Sequence, residues 1–135
     1  MKYWIAAAII VATPAAAREQ SAPTPLFASD APIRITVQGP IGEIARTMAK
    51  QTNPRPATLN LSAPAETHAI MLSARGLSRR TGGICQFPPL RVELTQRPAA
   101  TSLFAGQGRL KLVTHCRAAT SFQQNTLLEY SAYRL

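Results

Sequence analysis

The sequence has few of the residues from which metal and thiol sites are built. Its 135 residues include two cysteines and two histidines. No Cys-x-x-Cys or His-x-x-x-His spacing occurs, and His115 directly precedes Cys116, so on a strand these side chains would point to opposite faces. We therefore expect no metal ion, no cofactor and no catalytic residue, with a Cys/His site as the alternative to a disulfide.

No hydrophobic run is long enough to cross a membrane with any margin. The run at residues 3–12 falls short of the roughly 20 apolar residues that a span requires. Lys2 precedes this run, and Ala15 and Ala17 follow it at the spacing of an Ala-x-Ala cleavage site. The pattern is typical of a Sec-type signal peptide over residues 1–17, and it predicts a periplasmic or secreted protein without a transmembrane segment after cleavage. A retained membrane anchor is the alternative.

Acidic residues are also scarce. The chain has 6 Asp and Glu against 15 Lys and Arg, and loss of Lys2 with the signal peptide leaves a net charge of 14 − 6 = +8. A surface of this sign attracts anionic polymers such as lipopolysaccharide, acidic cell-wall glycans or nucleic acid. Nucleic acid is the least expected partner of an exported protein. The expectation is a basic but inert exported domain, and a domain that binds an anionic envelope polymer is the alternative.

The two cysteines, Cys85 and Cys116, are predicted to form a disulfide, because thiols are oxidised outside the cytoplasm. A bond that closes a loop of about 30 residues contributes on the order of 3 to 4 kcal/mol in the chain-entropy treatment. That is a large share of the stability of a small domain.

After the signal peptide the chain is long enough for one domain with its own core and too short for two, since 135 − 17 = 118 residues remain. Residues 18–32 are rich in Ala, Ser, Thr and Pro without periodicity, and are predicted to be a flexible lead-in. The single domain is predicted to cover residues 33–135.

Apolar and polar residues alternate in five segments of this domain, as in half-buried strands. Apolar residues at helical spacing predict a helix over residues 41–51. A second helix is predicted over residues 121–135, with Leu128, Ala132 and Leu135 on one side. The fold class expected is α+β, with these two helices packed on a mainly antiparallel sheet. The five predicted strands are 33–38, 57–61, 67–75, 90–95 and 109–114.

A hairpin is predicted between the last two strands. In the register that pairs Thr95 with Arg109, the apolar residues of both strands share one face. Glu93 then lies opposite Lys111 as a surface ion pair worth under about 1 kcal/mol. The two cysteines reach the same open end of this hairpin, which favours their pairing.

A loop at residues 75–83 combines three glycines with three arginines. The backbone N–H groups and guanidinium groups of such a loop can surround a phosphate or a carboxylate. The spacing matches no P-loop or dinucleotide motif, and a solvated hairpin loop is the alternative. The candidate anion-binding residues are Arg75, Arg79 and Arg80 in the loop and Arg91 on the next strand.

Four segments resemble the front part of an uncharacterised family of exported bacterial proteins, which has no assigned activity. Members of that family continue beyond the point where this sequence stops, so the resemblance implies a truncated member. The apolar end of the last helix leads to the same expectation of a domain incomplete at its C-terminus. The function expected is that of an exported, non-catalytic domain. The segments are Leu26–Asp30, Cys85–Arg91, Leu110–Cys116 and Leu128–Leu135.

The central strands are also similar to the N-terminal lobe of the spore-coat-protein-H type of atypical kinase. The resemblance implies a nucleotide-facing lobe in which Lys111 contacts the ATP phosphates and Glu129 holds that lysine. The metal-binding acids of kinases belong to the second lobe, which a chain of this length would not supply, so the lobe would be inactive alone. The similarity is carried by Arg75-Gly76, by strands 89–94 and 110–114, and by the following helix.

Overall fold

The computed structural model describes residues 23–81 and 83–132. The predicted signal peptide, residues 1–17, lies outside these ranges, together with its predicted cut after Ala17. The first residues of the predicted lead-in and residues 133–135 of the last predicted helix lie outside them as well. In the described ranges, no helix has the length and apolar character needed to cross a membrane.

Five strands form one antiparallel sheet, in the order in which they follow one another along the chain. Two helices of seven or more residues and a single helical turn accompany the sheet, which confirms the α+β class. The strands are β1 Ile35–Gln38, β2 Arg55–Ser62, β3 Ala65–Ala74, β4 Leu90–Leu94 and β5 Arg109–Leu112. The helices are α1 Ile41–Thr47, α2 Ser78–Thr81 and α3 Thr120–Ala132.

One face of this sheet is buried because apolar residues recur at every second position of the strands. Leu59, Ile70 and Leu72 are each at most 1% exposed, and Leu72 lies opposite Val92 of β4. We call the face with these side chains the inner face. The opposite, outer face carries the alternate residues, among them Ser73.

The inner face is covered by α1 and by the connection between β4 and β5. Ile44 and Met48 come from α1 and its end, and Phe104 comes from the connection, where it is 1% exposed. Gly39 lies in the tight turn between β1 and α1. A Cβ at this position would lie 2.6 Å from the Cβ of Ala57, so a residue with a side chain would not fit without a shift. The predicted helix over 41–51 is regular to Thr47 and continues as turns.

The register of β4 and β5 differs from the predicted one by two residues. Glu93 lies opposite Arg109, with 3.0 Å between Oε1 and Nε, and Arg91 lies opposite Lys111. The predicted pairs Thr95–Arg109 and Glu93–Lys111 are therefore wrong. A two-residue shift keeps every side chain on its predicted face, so the apolar pattern could not detect the error.

The last helix is also oriented differently from the prediction. Leu128 is 66% exposed and Ala132 is exposed, whereas Phe122, Thr126 and Glu129 are half-buried. Apolar residues are distributed around α3 instead of gathering on one side, and none of its described side chains is fully buried. The side of α3 that was predicted to be apolar is therefore not the side that contacts the rest of the protein.

Part of the predicted lead-in contacts the core. Pro25–Phe27 forms a single 3-10 turn, and Leu26 packs against the core cluster. The side-chain amide of Gln107 donates a hydrogen bond of 2.6 Å to the hydroxyl of Thr24.

The predicted disulfide between Cys85 and Cys116 is present, with their Cα atoms 4.6 Å apart. It joins the segment before β4 to the segment after β5, at the open end of the hairpin as predicted. The amide of Gln86 adds a hydrogen bond of 2.8 Å to the carbonyl of Cys116.

A half-buried carboxylate holds the β4–β5 connection on the inner face. Glu66 Oε1 accepts a 2.8 Å hydrogen bond from the amide of Leu103, and Oε2 accepts one from the hydroxyl of Ser102. His68 Nε2 lies 2.9 Å from Oε2. Burial alone would raise the pKa of Glu66, but these hydrogen bonds and the nearby imidazole hold that pKa below its ordinary value of 4.5.

We predict that the denatured, unreduced protein has no free thiol. Replacing Cys85 and Cys116 together by alanine should lower the free energy of unfolding by about 3 to 4 kcal/mol, because the unfolded chain gains the entropy of an open 31-residue loop. Thiol labelling and urea unfolding measure the two effects. Two reactive thiols in each unreduced chain would contradict the prediction.

Glu66→Gln should lower the free energy of unfolding by about 1 to 3 kcal/mol near neutral pH, because a charged acceptor of three hydrogen bonds is lost. A carboxyl whose pKa is depressed in the folded state stabilises the fold above its unfolded pKa, and this stabilisation disappears as pH falls through the folded pKa. Urea unfolding between about pH 3 and pH 7 should therefore show a weaker acid dependence in the variant.

The matched control for this experiment is Glu43→Gln. Glu43 forms a more exposed ion pair with Arg55, with 2.8 Å between Oε1 and Nη2. Its removal should cost less than about 1 kcal/mol. Equal losses in the two variants would show that the Glu66 network has no special role.

Candidate functional site

Two of the four candidate anion-binding arginines have partners within the protein. Arg79 Nη2 donates a hydrogen bond of 3.2 Å to Glu129 Oε2 on α3. Arg80 Nη1 donates one of 2.6 Å to the carbonyl of Met48, and its Nε donates to the carbonyl of Gly76. These contacts connect the loop around α2 to α1 and α3, so both side chains hold the loop in place.

The other two candidates, Arg75 and Arg91, make no side-chain hydrogen bond or ion pair with the described residues. Arg91 is exposed on β4, and Arg75 extends β3 by one residue, where its amide donates to the carbonyl of Pro89 at 2.8 Å. The alternation of β3 places Arg75 on the same side as Ser73. Both arginines therefore belong to the outer face.

The observed register of β4 and β5 places Lys111 on the outer face beside these two arginines. Ser73, Arg91 and Lys111 are successive cross-strand partners on β3, β4 and β5, and form one row across the outer face. Side chains directly opposite on antiparallel strands have Cβ atoms about 5 Å apart. We call Arg75, Arg91 and Lys111 the outer-face cluster.

No glutamate of the described chain neutralises the outer-face cluster. Each of the four forms its contacts with other groups: Glu43 with Arg55, Glu66 with Ser102, Leu103 and His68, Glu93 with Arg109, and Glu129 with Arg79. Like charges directly opposite one another destabilise a sheet. Arg91 and Lys111 therefore gain from an external anion that lies between them.

Ser73 adds a polar group to this row. Ser73 lies in this row between the strands and is 3% exposed. A hydroxyl can donate to an anion that guanidinium and ammonium groups hold. The geometry thus combines two cations and a hydroxyl in one row, with a third cation adjacent.

Sequence reasoning missed Lys111 and Ser73 as members of this site. The alternating pattern of β5 placed Lys111 on the polar face, but the predicted register gave it Glu93 as a partner. Ser73 has no signal of its own in the sequence. The glycine-rich loop drew attention to Arg79 and Arg80, whose partners lie far away along the chain.

The residue types of a hydrolytic triad occur together in Ser102, Glu66 and His68. Their hydrogen bonds, however, do not connect them in the order that a triad requires. The carboxylate lies between the hydroxyl and the imidazole, whereas nucleophilic catalysis requires the imidazole to contact the hydroxyl. The hydroxyl of Ser102 is also buried and accepts a 3.0 Å hydrogen bond from the amide of Phe104. This arrangement fixes a loop and does not activate a nucleophile.

The residues implied by the kinase resemblance are not paired with each other. Glu129 contacts Arg79 on one side of α3, while Lys111 faces Arg91 on the sheet. Among the described residues, no group of three or more His, Cys, Asp and Glu side chains is arranged to hold a metal ion. His115 packs its ring edge-on to Phe87, with 5.2 Å between ring centroids.

Comparisons of the chain with protein-family models, with curated proteins and with solved structures find no match.

Proposed function

We propose that this protein is an exported, non-catalytic domain that binds an anionic envelope polymer through the outer-face cluster. The observation that carries the proposal is the row of Ser73, Arg91 and Lys111, in which two cations face each other without an acidic partner in the described chain. Arg75 extends the same positive surface. A polymer with repeated phosphate or carboxylate groups would contact all three cations at once.

The chemistry of the described residues favours binding over catalysis. The hydroxyl of the buried Ser102 donates to Glu66 and not to a histidine. The two histidines pack against Phe104 and Phe87. Arg91 and Lys111 lie on paired strands of the sheet, and Arg75 follows β3 directly, so the backbone hydrogen bonds of the sheet hold their spacing. Fixed spacing reduces the conformational entropy lost when a charged ligand binds.

Export is part of the proposal. The sequence predicts a signal peptide over residues 1–17, and the disulfide between Cys85 and Cys116 is compatible with an oxidising compartment. An envelope location would bring a basic surface into contact with lipopolysaccharide or with acidic glycans.

We predict that Arg91→Gln combined with Lys111→Gln weakens binding of polyphosphate at least about tenfold, because two charge-assisted contacts are lost. The matched control, Arg34→Gln combined with Lys50→Gln, removes the same residue types and charge at exposed positions elsewhere. Fluorescence anisotropy with labelled polyphosphate, repeated with lipopolysaccharide, measures the affinity. The native affinity should fall as ionic strength rises from about 0.05 M to about 0.3 M.

Equal losses in the two double variants would contradict the proposal, since binding would then depend on net charge alone. A loss that follows Arg79→Gln but not Arg91→Gln would place the site in the loop around α2 instead. Thermal melts of all variants identify any loss that reflects unfolding.

We predict that the chain, expressed in a bacterium with a Sec pathway, is processed to a product that begins at Arg18. Mass spectrometry of the periplasmic fraction identifies this N-terminus. Ala17→Phe should block processing because signal peptidase requires a small residue at that position, while Ala8→Phe keeps the apolar run and should be processed normally. Recovery of the unprocessed native chain from the cytoplasm would reject export.

A further inference from the structure

A cavity of about 700 Å³ lies between α3 and the inner face of the sheet, open to solvent. Ligand-binding clefts commonly measure about 300 to 1,000 Å³. None of the described side chains of α3 is fully buried, and Gln123, Thr126 and Leu127 line this cavity. Val37 and Ile41 form one wall, Leu90 and Leu112 form the floor, and Gln123 and Leu127 come from α3.

The polar groups in the cavity wall are largely engaged within the protein. The hydroxyl of Thr114 donates to the carbonyl of Pro88 at 2.8 Å, and that of Thr126 donates to the carbonyl of Phe122 at 3.3 Å. A polar ligand would lose its hydration here without gaining enough hydrogen bonds in return. A hydrocarbon chain has no hydrogen bonds with water to lose, and burial of its surface against the apolar floor of the cavity is favourable.

One edge of the cavity leads to a cation. Val113 lines this cavity and also a second cleft of about 190 Å³, whose walls include Arg75, Arg79 and Glu129. Arg79 is paired with Glu129, whereas Arg75 makes no side-chain hydrogen bond with the described residues. An anionic group at this edge would therefore find one guanidinium group that is not already engaged.

We propose that the cavity binds a fatty acid, with the hydrocarbon chain against Leu90 and Leu112 and the carboxylate carried past Val113, just after β5, to Arg75. The ligand is matched to the site by the apolar cavity and by Arg75 at its edge, because Arg79, the other arginine of that cleft, is paired with Glu129. The fatty-acid site shares Arg75 with the outer-face cluster and does not include Arg91 or Lys111. It is therefore separable from the proposed polymer site.

The first test uses calorimetry with octanoate, decanoate and dodecanoate below their micelle concentrations. Affinity should rise up to about fourfold for each added methylene, with one ligand per chain, because each buried methylene contributes a constant gain. Dodecyltrimethylammonium, which has the same chain and the opposite charge, should bind at least about tenfold more weakly than dodecanoate. Affinity that ignores chain length would overturn the proposal.

The second test compares two adjacent substitutions on α3. Gln123→Trp places a large ring in the cavity and should weaken dodecanoate binding at least about tenfold. Gln124→Trp is the matched control, since Gln124 is exposed and does not line the cavity. Both variants should keep the thermal stability of the native protein, because neither native side chain is buried.

A third variant, Arg75→Gln, tests the headgroup contact. It should bring the affinity for dodecanoate close to that for dodecanol and leave the affinity for dodecanol unchanged. Dodecanoate binding that survives Gln123→Trp, or that is absent from the native protein, would overturn the proposal. Polyphosphate binding should be unaffected by Gln123→Trp, and dodecanoate binding by Arg91→Gln with Lys111→Gln, so the two proposals fail separately.

Discussion

The hydrogen bonds of the Glu66 carboxylate join strand β3 to the connection between β4 and β5, and the position of that connection over the inner face depends on them. By accepting hydrogen bonds from Ser102 and Leu103, the carboxylate holds the β4–β5 connection against β3 and brings Phe104 into the core beside His68. β5 pairs with β4 two residues away from the register that the apolar alternation alone favoured, and the charge pattern of the outer face belongs to the observed register.

The charge pattern of the outer face is a consequence of this register. Arg109 takes Glu93 as its partner, and Lys111 lies opposite Arg91 without a counter-charge from the part of the chain that the structure describes. The strand pairing thus links the packing of the inner face to the charge pattern of the outer face, because the register decides which residues lie opposite one another.

Local sequence patterns predicted the strands, the start of α1 and the disulfide, since each depends on near neighbours or on compartment chemistry. They do not contain contacts between residues that are distant along the chain. Arg80 donates to Met48, 32 residues away, and Arg79 donates to Glu129, 50 residues away, and neither contact could be predicted from the glycine-rich loop. The orientation of α3 was not predictable either, because its apolar residues do not define one side.

The facing pair of Arg91 and Lys111 also makes the free energy of unfolding depend on the anions around the protein. Repulsion between these two groups exists in the folded sheet and largely vanishes when the chain unfolds, so a bound polyanion favours the native state. At about one hundred times the dissociation constant, a ligand specific for the native state adds about 2.7 kcal/mol to the free energy of unfolding. Under the proposed function, molecules bound to an anionic matrix would unfold less often than unbound molecules, and the protein would persist longest where that matrix is abundant.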